Sequence, residues 1–139
     1  MKSFPLTVVT PDGMQFDGQA EELIVRTTAG DLAVLANHCN CVAPLGMGQA
    51  TIVADGKKLT AACIGGILSV LNGQVRLVPT TFEWADKIDI SRAQASAERA
   101  ESVIHSNTAS NVDIRLAEAR LKRALVRKSV AEANRSHKS

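Results

Sequence analysis

Arginines toward the end of the chain recur at helical spacing: Arg92 and Arg99 stand seven residues apart, and Arg120, Arg123 and Arg127 follow at steps of three and four. Seven residues is about two helical turns, so Arg92 and Arg99 share a face. Arg123 and Arg127 are i,i+4 neighbours whose like charges cost a few tenths of a kcal/mol in a free helix. An anion relieves that cost. If two helices folded together so that Arg92, Arg99, Arg123 and Arg127 converged, their planar forks would form a cradle for a polyphosphate. Spacing alone shows charge and not convergence, and favours a solvated basic face. Asp89, three residues before Arg92, has the type and place of a helix N-cap.

Other chemistries are poorly supplied. His38-Cys39-Asn40-Cys41 is the one cluster of metal-ligand types, but a closed zinc site wants four ligands, and Cys63 lies 22 residues from Cys41 with no partner at short spacing. The expectation is no metal, with the cysteines acting as small buried or reduced thiols. His38, His105 and His137 are scattered, and no serine or cysteine sits in a nucleophile motif, so no catalytic acid, base and nucleophile set can be assembled. No Walker or G-x-G-x-x-G loop is present. Gly65-Gly66 reads as a bulge or a close backbone approach inside a strand pattern.

The elements that must position these residues divide near residue 84. All nine glycines lie between Gly13 and Gly73, and all four prolines between Pro5 and Pro79. Turn-makers and helix-breakers are thus confined to the first part. Charge divides with them: residues 1–84 hold 5 Lys+Arg and 7 Asp+Glu, net −2, and residues 85–139 hold 11 and 7, net +4. We expect two domains. Residues 1–84 read as a small all-β sandwich or barrel, with Asp55-Gly56 separating Ala50–Ala54 from Leu59–Ile64 and Asn72-Gly73 separating Ile67–Leu71 from Val75–Val78. Residues 85–139 read as an antiparallel two-helix hairpin. Ile90, Ala93, Ala97, Ala100 and Ile104 form one apolar seam, and Ser110 with Asp113 resembles a capping box for a second helix running to about Ala133. Ile114, Ala117, Leu121, Ala124 and, at its edge, Leu125 form the second apolar face, and Asn134 to Ser139 are expected to fray.

With 139 residues, 45% hydrophobic and 22% charged, the composition is that of an ordinary globular protein. No apolar run reaches the ~18 residues of a membrane span, and Met1-Lys2-Ser3-Phe4-Pro5 does not begin a signal peptide, so the expected compartment is the cytoplasm. A net charge of +2 and four aromatics, none among the arginines, argue against nucleic acid as a partner.

The order of parts, with Ile88-Asp89-Ile90-Ser91-Arg92-Ala93 at the junction, resembles the epsilon subunit family of bacterial F-type ATP synthases. Val8-Val9-Thr10-Pro11-Asp12-Gly13, Gly30-Asp31-Leu32, Val42-Ala43-Pro44-Leu45, Gly65-Gly66 with Ile67-Leu68-Ser69-Val70, and Leu121-Lys122-Arg123-Ala124 with Arg127 carry the likeness along nearly the whole chain. The resemblance implies a non-catalytic rotor subunit on the cytoplasmic face of the membrane, peripheral and without insertion. Its sandwich docks on the gamma subunit and the c-ring, and its helices block ATP hydrolysis when they extend into the catalytic alpha/beta head. Asp31 and His38 match positions that face the rotor. The motif at Ile88, Asp89, Arg92 and Ala93, preceded by Glu83, implies a site for the base and sugar of ATP, with Arg92, Arg99, Arg123 and Arg127 on the phosphates.

ATP is then a regulatory ligand favouring the folded hairpin; no cofactor for catalysis is implied, and the role of Mg²⁺ stays open. A structural epsilon with a silent motif and a freestanding ATP-sensing module are the alternatives. The loop Leu35-Ala36-Asn37-His38-Cys39-Asn40-Cys41 departs from the family's Leu-Pro-x-His-x-Pro-Leu, and Ala33 stands where glycine is common.

Overall fold

The computed structural model describes residues 2–138, which divide into two compact units between Trp84 and Ala85. The first contains β1 (Phe4–Thr10), β2 (Gly13–Ala20), β3 (Glu22–Thr27), β4 (Gly30–Leu35), β5 (Cys41–Pro44), β6 (Met47–Ala54), β7 (Lys57–Leu71) and β8 (Gln74–Trp84). They pair in the order β2-β1-β8-β7-β6-β3-β4, with β5 added to β7, and fold as a β-sandwich around one core. Alternation selects that core: Leu6 and Val8, Leu23 and Val25, Leu68 and Val70, and Val75 and Leu77 are buried, while Arg76 between the last two is exposed.

The two hairpin dipeptides behave as their chemistry requires. Asp55 and Gly56 have φ of 53° and 73°, Asn72 and Gly73 of 50° and 80°, so each two-residue loop places both residues in the left-handed region that a type I′ turn needs. Pairing closes at Ala54↔Lys57 and at Leu71↔Gln74. One contact escapes hairpin reasoning. β1 runs parallel to β8, Leu6 opposite Val75 and Val8 opposite Leu77, joining segments about seventy residues apart.

Leu59–Ile64 and Ile67–Leu71 are not separate strands but parts of one 15-residue strand, β7. Gly65-Gly66 is no register bulge, because pairing with β8 keeps one register from Ala61↔Trp84 to Leu71↔Gln74. What changes there is the neighbour on the other edge, β6 up to Ile64 and β5 from Ile67. Close backbone approach is the reason for glycine: a Cβ at Gly66 would lie 2.1 Å from the Val78 carbonyl oxygen, and Leu45 N–H donates to Gly66 O at 2.8 Å.

The second unit opens with a 3₁₀ turn, Ala85–Lys87, followed by α1 (Ile90–Ile104) and α2 (Asn111–Lys138), which folds back along α1. Ala93, Ala97 and Ala100 of α1 and Ala117 and Ala124 of α2 are buried. Alanines allow close approach but bury little area each, so at ~25 cal/mol per Å² the seam adheres weakly. α2 differs from expectation at its far end. It runs helical through Lys138 rather than fraying from Asn134, because neither glycine nor proline stops it; Ser139 lies outside the described residues. Leu125 is 46% exposed, one position off the line of Ala117, Leu121, Ala124 and Ala131, and burial falls instead on Val130 and Ala131 where α2 reaches the 3₁₀ turn. Neither described helix is long and apolar enough to cross a membrane.

Candidate functional site

The start of α1 is fixed by Asp89. Its Oδ1 accepts the Arg92 N–H at 3.1 Å and its carbonyl accepts the Ala93 N–H at 3.0 Å, so the carboxylate satisfies one of the free donors of the first turn. Ala93 is buried in the seam, Ile88 is half-buried with its N–H on the Ala85 carbonyl at 3.4 Å, and the Arg92 side chain is exposed. Glu83 lies in the other unit, half-buried near the end of β8 and opposite Ala62.

At the other end of α1 the chain turns through hydroxyl-rich residues. His105 N–H donates to Glu101 O at 3.0 Å, Ser106 Oγ accepts the Thr108 N–H at 3.2 Å, and Ser110 Oγ accepts the Asp113 N–H at 3.2 Å, which caps α2. This turn and the two helices enclose a cleft of about 800 Å³. Arg99 and Ser96 of α1, Ser106 and Thr108 of the turn, and Asp113 and Arg120 of α2 line it, over an apolar floor that includes Val103 and Leu116. Of the four arginines expected to gather, Arg99 borders this cleft; Arg92, Arg123 and Arg127 do not, and the last two are half-buried along α2. The second guanidinium in the cleft is Arg120, which belongs to the arginine series on α2 but not to the set of four.

Family models match both units. The β-sandwich domain of the ATP synthase delta/epsilon chain matches residues 3–85, and its long α-helix domain matches residues 86–132. The chain belongs to the epsilon family of bacterial F-type ATP synthases. It is 38% identical over 131 residues to the ATP synthase epsilon chain of Bacillus pumilus, covering 94% of this chain and 98% of that one. It is 39% identical over 132 residues to the epsilon chain of Ruminococcus albus, covering 94% and 98%. A chain in the OSCP/F1/c-ring structure of the Euglena gracilis mitochondrial ATP synthase shares the fold, with TM-score 0.78 and 23% identity over 86% of this chain and 76% of that chain.

The two further positions carried over from the epsilon family lie on the β unit. Asp31 is on β4, an outer strand, and faces Arg26 of β3. The Arg26 Nε donates to Asp31 Oδ1 at 2.5 Å and Nη2 to Oδ2 at 3.3 Å, a bidentate pair on the surface. Those hydrogen bonds hold the Asp31 carboxyl below its ordinary range against the opposing desolvation, with the guanidinium charge a smaller aid, and Arg26 is raised in turn. Sequence reading missed this pair. Its signal was the two-residue loop Thr28-Ala29, closed by the pair Thr27↔Gly30, which sets Arg26 opposite Asp31.

His38 sits in the loop before β5, its Nδ1 2.8 Å from the Cys39 carbonyl oxygen and its N–H on the Leu35 carbonyl at 3.2 Å. Cys39 is exposed, Cys41 half-buried, and Cys63 buried in the core, where burial pushes its thiol up to about 12. Among the described residues no group of three or more His, Cys, Asp or Glu side chains could hold a metal. Nearby, Val42, Ile67, Leu71 and Val78 are exposed on neighbouring strands β5, β7 and β8, with Pro44 opposite Ile67 and Ile67 opposite Val78. Pro44, Ile67 and Val78 thus form an apolar rung across three strands, with Val42 beside it opposite Ser69, the kind of exposed surface that marks an interaction site.

Proposed function

We propose that this chain is a non-catalytic rotor-stalk subunit whose β unit docks on the gamma subunit and c-ring and whose hairpin is an ATP-sensitive brake on hydrolysis by the alpha/beta head. Membership of the epsilon family supports the stalk role, and exposed Pro44, Ile67 and Val78, side by side on three strands, give the docking unit an apolar surface. Asp31, at the start of β4, and His38, in the loop that follows that strand, are assigned to the rotor contact.

The brake reading rests on one observation above the others: the hairpin is closed by an alanine seam of small area, so a ligand that touches both helices can decide whether it stays closed. Glu83, Ile88, Asp89 and Ala93 are assigned to the base and sugar of ATP, and Arg92, Arg99, Arg123 and Arg127 to its phosphates. The extended form cannot keep arginines of two helices together, so ATP has differential affinity for the closed one. High ATP then releases the brake, and low ATP lets the basic α2 engage an acidic segment of the head.

Calorimetric titration of the full chain with ATP, ADP and GTP, repeated on Arg99→Ala and Arg123→Ala, tests this. Saturable, ATP-selective binding lost in both variants is the expected result. Absence of binding at millimolar ATP would leave a stalk subunit with a silent nucleotide motif.

A further inference from the structure

We infer that Cys39 and Cys41 are a reversible modification site for low-molecular-weight disulfides, with Cys39 as the thiol that reacts first and Cys41 as the thiol that closes an intraloop disulfide.

The loop is arranged for an ordered reaction. His38 N–H donates to the Leu35 carbonyl at 3.2 Å and Asn37 takes a φ of 68°, so the chain turns sharply after β4 and leaves residues 38–40 outside any strand. Cys39 is exposed there, whereas Cys41 begins β5 opposite Val70 and is half-buried against the sandwich core. A reagent from solvent therefore meets Cys39 first. Cys63 is buried and takes no part.

Thiols at a spacing of two residues are never far apart. A fully extended chain separates their Cα atoms by at most ~7 Å, and a disulfide spans about 4.4–6.8 Å between Cα atoms, so a small bend at Asn40 closes the gap. Asparagine is a residue that turns accept. What holds Asn40 in place is its side chain, whose Oδ1 accepts the Asn72 N–H of the β7–β8 turn at 2.8 Å.

The Cys39 thiolate attacks one sulfur of a disulfide RSSR, forming a mixed disulfide and releasing RS⁻, which takes up the proton that Cys39 lost. The Cys41 thiolate then attacks the Cys39 sulfur and expels the second RS⁻, which takes up the Cys41 proton. Two protein thiols are oxidised to one disulfide, and RSSR is reduced to two RSH. A ring that spans a single intervening residue is strained, and strained or exposed disulfides are the easily reduced ones, so excess RSH reverses both steps. Closure competes with the hydrogen bond from Asn72 to Asn40 and redraws the loop that carries His38; its effect on docking rests on the rotor reading above.

The test incubates the full chain at pH 8 with excess oxidised glutathione, follows intact mass and peptide maps, and compares the unmodified protein with Cys39→Ser, Cys41→Ser and Cys63→Ser. The expected product of the unmodified protein is a single chain lighter by two hydrogen atoms, with Cys39 joined to Cys41, and restored by reduced glutathione. Cys41→Ser is expected to stop at a stable glutathione adduct on Cys39, Cys39→Ser to react roughly tenfold more slowly, and Cys63→Ser to behave as the unmodified protein. Binding of the oxidised chain to a gamma and c-ring rotor lacking this subunit is expected to be roughly tenfold weaker than that of the reduced chain.

A glutathione adduct that persists on Cys39 in the unmodified protein, or a disulfide between two chains, overturns the site, because Cys41 then does not reach Cys39. Closure between Cys39 and Cys41 with rotor binding equal in both forms keeps the site and removes this loop from the rotor contact.

Discussion

Arg26 and Asp31 meet across the β3–β4 hairpin as a two-point pair on the surface, Nε on Oδ1 and Nη2 on Oδ2. The carboxylate is therefore held in one orientation by its own chain before any partner arrives. Because the folded form has the lower pKa, whatever the pair contributes is present above the ordinary carboxylate range near pH 4 and is lost as pH falls through the depressed value. Carboxyl NMR titration is expected to show the Asp31 midpoint below the reference value and to move it upward in Arg26→Gln. An unmoved midpoint would mean that the pair does not persist in solution.

Gly66 and Gly65 are neighbours with different reasons to be glycine. A Cβ at Gly66, φ 102°, would sit 2.1 Å from the Val78 carbonyl oxygen and 2.6 Å from the Pro79 Cα, which are main-chain atoms that cannot turn aside. At Gly65, φ 68°, it would meet the Thr80 side chain at 3.1 Å, in the left-handed region that other residues visit at ~1–2 kcal/mol. Gly66→Ala is thus expected to cost about 3 kcal/mol or more and Gly65→Ala about half that, read from urea unfolding of the full chain. Equal costs would show that the strand relieves the Gly66 contact by moving apart.

Asp89 has a structural duty that must be separated from any role toward a ligand. Asparagine caps a helix about as well as aspartate, so Asp89→Asn is expected to keep α1 while removing the charge, and Asp89→Ala to lose about 1 kcal/mol of helix stability. Hydrogen exchange of the α1 amides reads the cap, and ATP titration of the same variants reads the ligand. A drop in ATP affinity in Asp89→Asn with α1 protection intact identifies the carboxylate as a ligand contact; a drop confined to Asp89→Ala makes it a cap only.

Much of this architecture can be read from local chemistry. Asp55-Gly56 and Asn72-Gly73 announce their hairpins because few residue pairs accept two left-handed conformations in succession, and Ala93, Ala97 and Ala100 announce a seam through their spacing. What local chemistry leaves open is which strand lies beside which. The parallel β1–β8 pairing and the exchange of β6 for β5 along β7 depend on partners far away in sequence, and no dipeptide encodes them. The hairpin shows the same division. Arginines at helical spacing are visible in the sequence, but whether Arg99 meets Arg120 or Arg123 depends on how far α2 slides along α1, and that is set by alanine packing and the length of the turn.

The three cysteines are expected to differ sharply toward a thiol reagent. Cys39 is exposed and should react first, Cys41 is half-buried beside the core and should react more slowly, and Cys63 should stay unmodified at pH 8, its thiol raised to about 12 and enclosed in the sandwich. Ellman titration should release one equivalent quickly and the last only in denaturant. Rapid release of all three would indicate that the sandwich opens readily on that side.

Strand β7 follows a contour of about 50 Å and bonds in succession to β6 and β5 on one edge while keeping β8 on the other throughout. Force applied to the β5 end is therefore carried to the β6 end along covalent main chain, with a ladder of hydrogen bonds loaded in shear beside it. Packed side chains can creep under repeated load; a peptide backbone does not stretch. Gly65, against the Thr80 side chain, and Gly66, against the Val78 carbonyl, stand where that backbone exchanges β6 for β5, so load passes from one neighbour to the other without leaving the strand.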